Sequence, residues 1–204
     1  MSIVLVGSTS GSITLQEPAV AGSTVLDLPA TSGTLLTSAS SFTRSQLPTG
    51  SVLQVVSTTK TDTFSSATTG SWLDITGLSV SITPTSATSN VMIFGRITGQ
   101  GQASATRLQM RLARDSTAIS VGDAGGSRTQ VSGNELYIPD NDAFLGSTIF
   151  FLDSPATTSA TTYKLQIRNG NSGGTIYINR SPNDSDVIAT PRATSSITVM
   201  EIAG

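Results

Sequence analysis

The feature that most limits this chain is an alternation centred on Leu78, Val80 and Ile82, which interleave with Ser79, Ser81 and Thr83. Apolar and small polar residues that trade places at every step place one set on each face of a pleated strand, so one face is buried and the other wet. Pro84 has no amide hydrogen for a ladder and ends that strand. The small polar run Thr85 to Asn90 turns the chain, and Val91-Met92-Ile93-Phe94 opens a more apolar strand.

The same pattern recurs downstream. Leu108, Met110 and Leu112 alternate with Arg107, Gln109 and Arg111, and Tyr163-Lys164-Leu165-Gln166-Ile167-Arg168 does so until Asn169-Gly170 stops it. Val52 to Ser57, Trp72 to Ile75, Thr117 to Val121, Ser147 to Leu152, Thr175 to Asn179 and Ser195 to Ile202 add further strands, with Leu136 to Ile138 as a weak pairing segment. Thr58 to Gly70, which holds Lys60 and Asp62, reads as a loop, and Gly122 to Gly126 as a flexible connection. The polar residues are mostly Ser and Thr, and with 19 glycines they disfavour helix. The fold class is therefore all-β: eight to ten strands in two packed antiparallel sheets, a β-sandwich or jelly roll.

The first fifty residues differ. Short apolar clusters (Ile3 to Val6, Val25-Leu26, Leu35-Leu36) are separated by Gly, Ser, Thr and Pro, and none can bury a core alone. Residues 1–50 are expected to form an extended arm and linker, with Ser38 to Gly50 as the linker; an arm that orders against neighbouring chains is favoured over a disordered leader, because the apolar pairs recur too regularly for disorder. Residues 51–204 are expected to form the β-domain.

Several chemistries are excluded by what the chain lacks. It has no cysteine and no histidine, which removes disulfides, thiolate chemistry, the commonest metal ligand and the usual general base. Eleven basic against thirteen acidic residues give a net charge of -2, and the arginines are scattered from Arg44 to Arg192. Phosphate tracking needs a cluster, so no nucleic-acid partner is expected. No apolar run approaches the roughly 20 residues of a membrane span, so no membrane insertion is expected. Met1 to Val6 lacks the basic stretch of a signal peptide; release by lysis or export within a particle is the expected route outside a cell.

What remains for catalysis is carboxylates. Asp140 with Asp142 and Asp184 with Asp186 are the closest pairs, and paired acids can hydrolyse glycosides or, in oxygen-rich loops, hold calcium. Both pairs flank Pro and Asn, which makes them turn-forming residues first. No catalytic, metal or cofactor site is therefore expected, and the chain reads as a non-enzyme. Trp72 is either a filler of the core or of a subunit seam, the favoured reading, or a sugar-stacking platform. Tyr137, Tyr163 and Tyr177 are expected to be half-buried with wet hydroxyls. Arg107, Arg111 and Arg114 read as a solvated strand face.

Two stretches carry a resemblance. Leu15 to Gly22 together with Leu28-Pro29-Ala30-Thr31-Ser32-Gly33-Thr34-Leu35 resembles a short module of tailed-bacteriophage tail-fibre and other virion structural proteins. Trp72-Leu73-Asp74-Ile75-Thr76-Gly77-Leu78 leading to Ile82 through Ser89, with the closing Ile197 to Ile202, is similar to a β-rich domain of such proteins from cyanophages and other marine phages. The resemblance implies a virion structural protein of the tail-fibre or receptor-binding type, homotrimeric, located in the phage particle after synthesis in the host cytoplasm. It further implies that the arm joins other virion proteins and that the β-domain meets a host surface glycan or protein. The alternatives are a capsid decoration or head-fibre protein, a carbohydrate depolymerase using paired carboxylates, and a soluble lectin unrelated to viruses.

Overall fold

The structure is a computed structural model that describes residues 3–6, 9–15, 20, 22, 30, 46–102, 106–137, 140–170 and 173–204. The apolar clusters at Val25-Leu26 and Leu35-Leu36, the turn after Leu28, most of the linker and Ile138 lie outside the described residues. The chain divides into two compact units, Met1–Ser41 and Phe42–Gly204.

Within the first unit, β1 (Ile3–Val6) and β2 (Ser12–Leu15) form an antiparallel hairpin in which Ile3 lies opposite Leu15 and Val6 opposite Ser12. Gly11 turns the chain at φ 80. A hairpin stands where an extended segment is expected, because two four-residue β-rich stretches joined through Thr9-Ser10-Gly11 can pair locally at little loop cost. A lone two-stranded hairpin is marginal in water, and Val4 and Val6 are exposed.

The second unit is an antiparallel β-sandwich of ten strands among the described residues. One sheet has the order β5 (Leu73–Ile82), β10 (Thr161–Asn169), β7 (Leu108–Arg114) and β8 (Thr117–Ile119). The other runs β3 (Val52–Lys60), β12 (Ser195–Ile202), β6 (Asn90–Gly101), β11 (Ile176–Ile178) and β4 (Phe64–Ser66), with β9 (Leu145–Asp153) on the opposite edge of β6. The alternation read from the sequence is the burial pattern. Leu78, Val80 and Ile82 of β5, Leu108, Met110 and Leu112 of β7, and Leu165 and Ile167 of β10 face Val91, Ile93, Ile97, Ile149, Ile176, Ile178, Ile197 and Val199 in one core. Each such side chain removed from water contributes about 1.5–3 kcal/mol. Gly95 interrupts the inward row of β6 because Leu165 reaches across the sandwich; a Cβ there would lie 3.0 Å from Leu165 Cδ2.

The structure corrects four expectations. Thr58 to Gly70 is not one loop: β3 runs through Lys60, and Phe64–Ser66 forms β4 against β11. Pairing with β12 and β11, more than 100 residues away in sequence, supplies what the local composition does not. Trp72 to Ile75 and Leu78 to Thr83 are one strand, kinked at Gly77. Tyr163 is fully buried instead of half-wet; its hydroxyl donates to Asp153 Oδ2 at 2.6 Å, and burial foremost, then that carboxylate, push its pKa far upward. Arg114, expected on a solvated face, forks onto both oxygens of the same Asp153 at 3.0 and 2.9 Å.

Candidate functional site: a polar cleft beside Tyr177

The strand β11 is short, but its position is over-determined. Ile176 and Ile178 enter the core and Tyr177 points outward, level with Gln100 of β6 and Ser65 of β4. Asn179 ends the strand in the left-handed region at φ 63 and is completely buried. Its Nδ2 donates to the carbonyls of Lys60 (2.9 Å) and Asp62 (2.8 Å), its Oδ1 accepts from Ser195 Oγ (2.7 Å), and its amide donates to Thr98 (2.8 Å). One asparagine thus ties together β3, β6, β11 and β12. Asparagine tolerates that backbone conformation better than other non-glycine residues.

Immediately after it, Arg180 lies over the Tyr177 ring, its guanidinium carbon 4.2 Å from the centroid. Two loops then meet. The Asn183 amide donates to the Asn141 carbonyl (2.8 Å), and Asn183 Nδ2 donates to Asp142 Oδ1 (2.7 Å). Each loop is internally closed by its own side chains. Asp140 Oδ1 accepts the Asp142 amide at 2.8 Å, and Asn183 Oδ1 accepts from Ser185 Oγ at 2.6 Å. The buried Gln100 donates to the Asp140 carbonyl and so holds the first loop to β6. Between the loops and β11 is a cleft of about 350 Å³ lined by Gln102, Asn141, Asp142, Tyr177, Pro182 and Asn183.

The two acidic pairs picked out in the sequence therefore sit on adjoining loops. Asp140 and Asp142 are joined by a turn bond. Asp184 pairs with Arg192 at 2.6 Å and with Arg180 at 3.7 Å. Asp186 is exposed. Among the described residues no three metal-ligating side chains converge. What the cleft offers is hydrogen bonding: carboxamides that donate and accept, one carboxylate that accepts, and an aromatic ring. Of the lining residues Tyr177 and Asp142 were singled out in the sequence, and Asn141, Pro182 and Asn183 only as turn formers beside the acidic pairs. The two turns, 41 residues apart at Asp142 and Asn183, are joined by no local pattern.

Trp72 is elsewhere, half-buried on the outer face of the β5-β10-β7-β8 sheet and outside the core cluster. The Arg111 guanidinium stands 4.4 Å from its ring centroid, which takes one stacking face. Around it Arg111 Nε donates to Gln166 (2.7 Å), and Gln166 and Lys164 both donate to Asp74 (2.6 and 2.7 Å). Arg107 pairs with Glu135 at 2.6 Å and covers the Tyr137 ring. This outer face is charged and its charges satisfy one another. A second hollow, also about 350 Å³, lies beside Leu47, Leu53, Thr85, Ser89 and Ala203, where the unit's first and last segments meet.

The fold defines an antiparallel β-sandwich carrying a loop-built polar cleft. No protein-family model matches the chain, and no curated protein matches its sequence. Among solved structures it is similar to a chain in the structure of the infectious bursal disease virus Gx strain, at 16% identity and a TM-score of 0.36, over 74% of this chain and 38% of that one. A chain from the Gt strain of the same virus gives 13% identity and a TM-score of 0.37, over 97% of this chain and 44% of that one. The chain thus spans about two fifths of the length of the viral chains it resembles.

Proposed function

We propose that this chain is a non-enzymatic virion structural protein of the tail-fibre or receptor-binding type, assembled as a homotrimer. In this reading the N-terminal unit joins the particle and the β-sandwich is displayed toward the host surface. The observation that carries the reading is the contrast between the sandwich's two outer faces. The outer face of the β5-β10-β7-β8 sheet is charged and self-satisfied. The outer face of the other sheet presents Val55, Met200, Met92 and Leu152 in one cross-strand row, with Phe94 and Phe150 in the next. Phe150 is 67% and Val55 55% exposed, and Phe94 and Phe150 meet edge to face at 5.4 Å. Contiguous exposed apolar surface of this kind marks an association site, and among the described residues β9 pairs only with β6, leaving an open strand edge next to it. A protein that covers such a face with its own copies is a part of an assembly. The phage-like residues at 72–89 and 197–202 support a virion as that assembly.

Electron microscopy of particles carrying a labelled copy tests the placement. Density at the tail or its fibres is expected. Density confined to the capsid lattice would replace this reading with capsid decoration, and release of new reducing ends from host polysaccharide would replace it with a depolymerase.

A further inference from the structure

We infer that the cleft between the 140–142 and 181–183 loops is a binding site for an uncharged, hydroxyl-rich sugar, with Tyr177 as its platform. The inference rests on the displayed sandwich of the preceding section for its biological sense, but its chemistry stands on the cleft alone.

A sugar ring offers vicinal hydroxyls, each a donor and an acceptor, and one or two faces of C–H groups. The cleft supplies the complements. Its lining holds the carboxamides of Gln102, Asn141 and Asn183, the carboxylate of Asp142 and the ring of Tyr177. Carboxamides both donate and accept, and a carboxylate accepts strongly from hydroxyls. The volume of about 350 Å³ suits one sugar unit or part of a short glycan, at the small end of ligand clefts. Among the described residues the lining holds no branched aliphatic and no basic side chain, a composition that suits a hydroxyl-rich ligand better than a lipid or a phosphate ester.

Two further observations favour recognition over an ordinary surface dent. First, the lining is held before any ligand arrives. The Tyr177 ring is backed by Arg180, which does not itself line the cleft, and Asn183 is fixed at once to Asp142, Asn141 and Ser185. Groups already fixed lose less freedom on binding. Second, the charge selects. Asp142 lines the cleft, while Arg180, behind the Tyr177 ring, is held by that ring, by Asp184 and by the carbonyls of Ser181 and Pro182. A sugar bearing a carboxylate would meet Asp142 with no cation among the described lining residues to face it, so neutral sugars are favoured over acidic ones.

The test uses the full chain and saturation-transfer NMR with the methyl glycosides of glucose, galactose, mannose and N-acetylglucosamine, against glucuronic acid and N-acetylneuraminic acid. Saturation transfer to at least one neutral sugar and to neither acidic one is expected. Tyr177→Ala should weaken that binding about tenfold, the equivalent of ~1.4 kcal/mol. Gln102→Ala, at an exposed position whose side chain makes no hydrogen bond among the described residues, should weaken it without altering the melting temperature. Asp142→Asn should admit the acidic sugars. No transfer to any sugar in the panel overturns the inference, and so does neutral-sugar binding unchanged in both Tyr177→Ala and Gln102→Ala. The same sugars linked to a polymer separate a free saccharide ligand from a surface that displays it. A trimer gains roughly 10²–10⁴-fold on the polymer. Monovalent binding without that gain would leave the cleft assigned and count against the trimeric display; a trimer that binds none of these sugars would do the reverse.

Discussion

Glu201 sits in the inward-facing row of β12, after Ser195, Ile197 and Val199, and has no exposed surface. An acid in that row needs partners, and it finds three donors at 2.6 Å: the Thr85 amide, the Thr85 hydroxyl and Gln54 Nε2. Burial works against its charge, but the bonds from Thr85 and Gln54 outweigh that and hold the carboxyl below its ordinary 4.5. A folded value lower than the unfolded one means that the stabilisation is complete above about pH 4.5 and is lost as pH falls through the folded value. Glu201→Gln is therefore expected to lower stability at neutral pH by about 1–3 kcal/mol and to flatten the acid limb of a melting-temperature profile below pH 4.5. An unchanged acid limb would assign the acid sensitivity to other carboxylates. Lys60 and Asp153 are likewise buried at the far end of β3 and β9 and find partners there, in Asp62 and in Arg114 with Tyr163. Of the three, only Glu201 had an inward position legible from the alternation, since Lys60 fell in the stretch read as a loop and Asp153 just past the expected strand Ser147 to Leu152. Their partners were not legible, because those lie on other strands or beyond the strand's end.

At the scale of elements, β5 shows how one residue changes what a strand presents. Ile75 and Leu78 are both buried although three residues apart, which a regular pleat forbids. Gly77, at φ 78, resolves the conflict: pairing with β10 jumps from Ser79 opposite Lys164 to Asp74 opposite Gln166, a bulge that shifts the alternation by one. A side chain at position 77 would meet only Lys60 Nζ, 3.9 Å away, so the cost of substitution lies in the backbone. Gly77→Ala is expected to destabilise by about 1–2 kcal/mol. Amides at 73–76 should then lose hydrogen-exchange protection before those at 78–82, and uniform loss would refute the bulge as a local hinge. The sequence read these ten residues as two strands for the same reason, since the period breaks at Gly77. More widely, strands with clean alternation were legible, as were the turns at Pro84 and Asn169-Gly170. Strands that exist through distant pairing were not: β4 and the end of β3 carry little apolar signal of their own. The cleft was least legible, because its residues share a place only after β6, β11 and two loops have assembled.

For the whole molecule, association depends on the face built from Val55, Met200, Met92, Leu152, Phe94 and Phe150. Arg96 is the one charged side chain in the outward rows of β3, β12, β6 and β9, placed beside Ser196 and Thr148 toward the end of the patch. A seam between copies needs on the order of 800 Å² from each partner, and a trimer divides that requirement between two neighbours of each chain. If this face is the seam, Phe150→Lys together with Leu152→Lys should give a folded monomer, because both side chains point away from the core and two buried cations cannot be paired across it. Light scattering is expected to show a trimer for the natural chain and a monomer for the double variant, whose sandwich still melts cooperatively. The variant's melting temperature should also stop depending on protein concentration, as mass action requires once association is lost. Deleting residues 1–41 separates the two tasks assigned to the chain. Since residues 42–204 form their own compact unit, the shortened protein should remain a trimer through this face yet fail to enter particles. A shortened protein that is folded but monomeric would move the seam from the sandwich to the N-terminal unit.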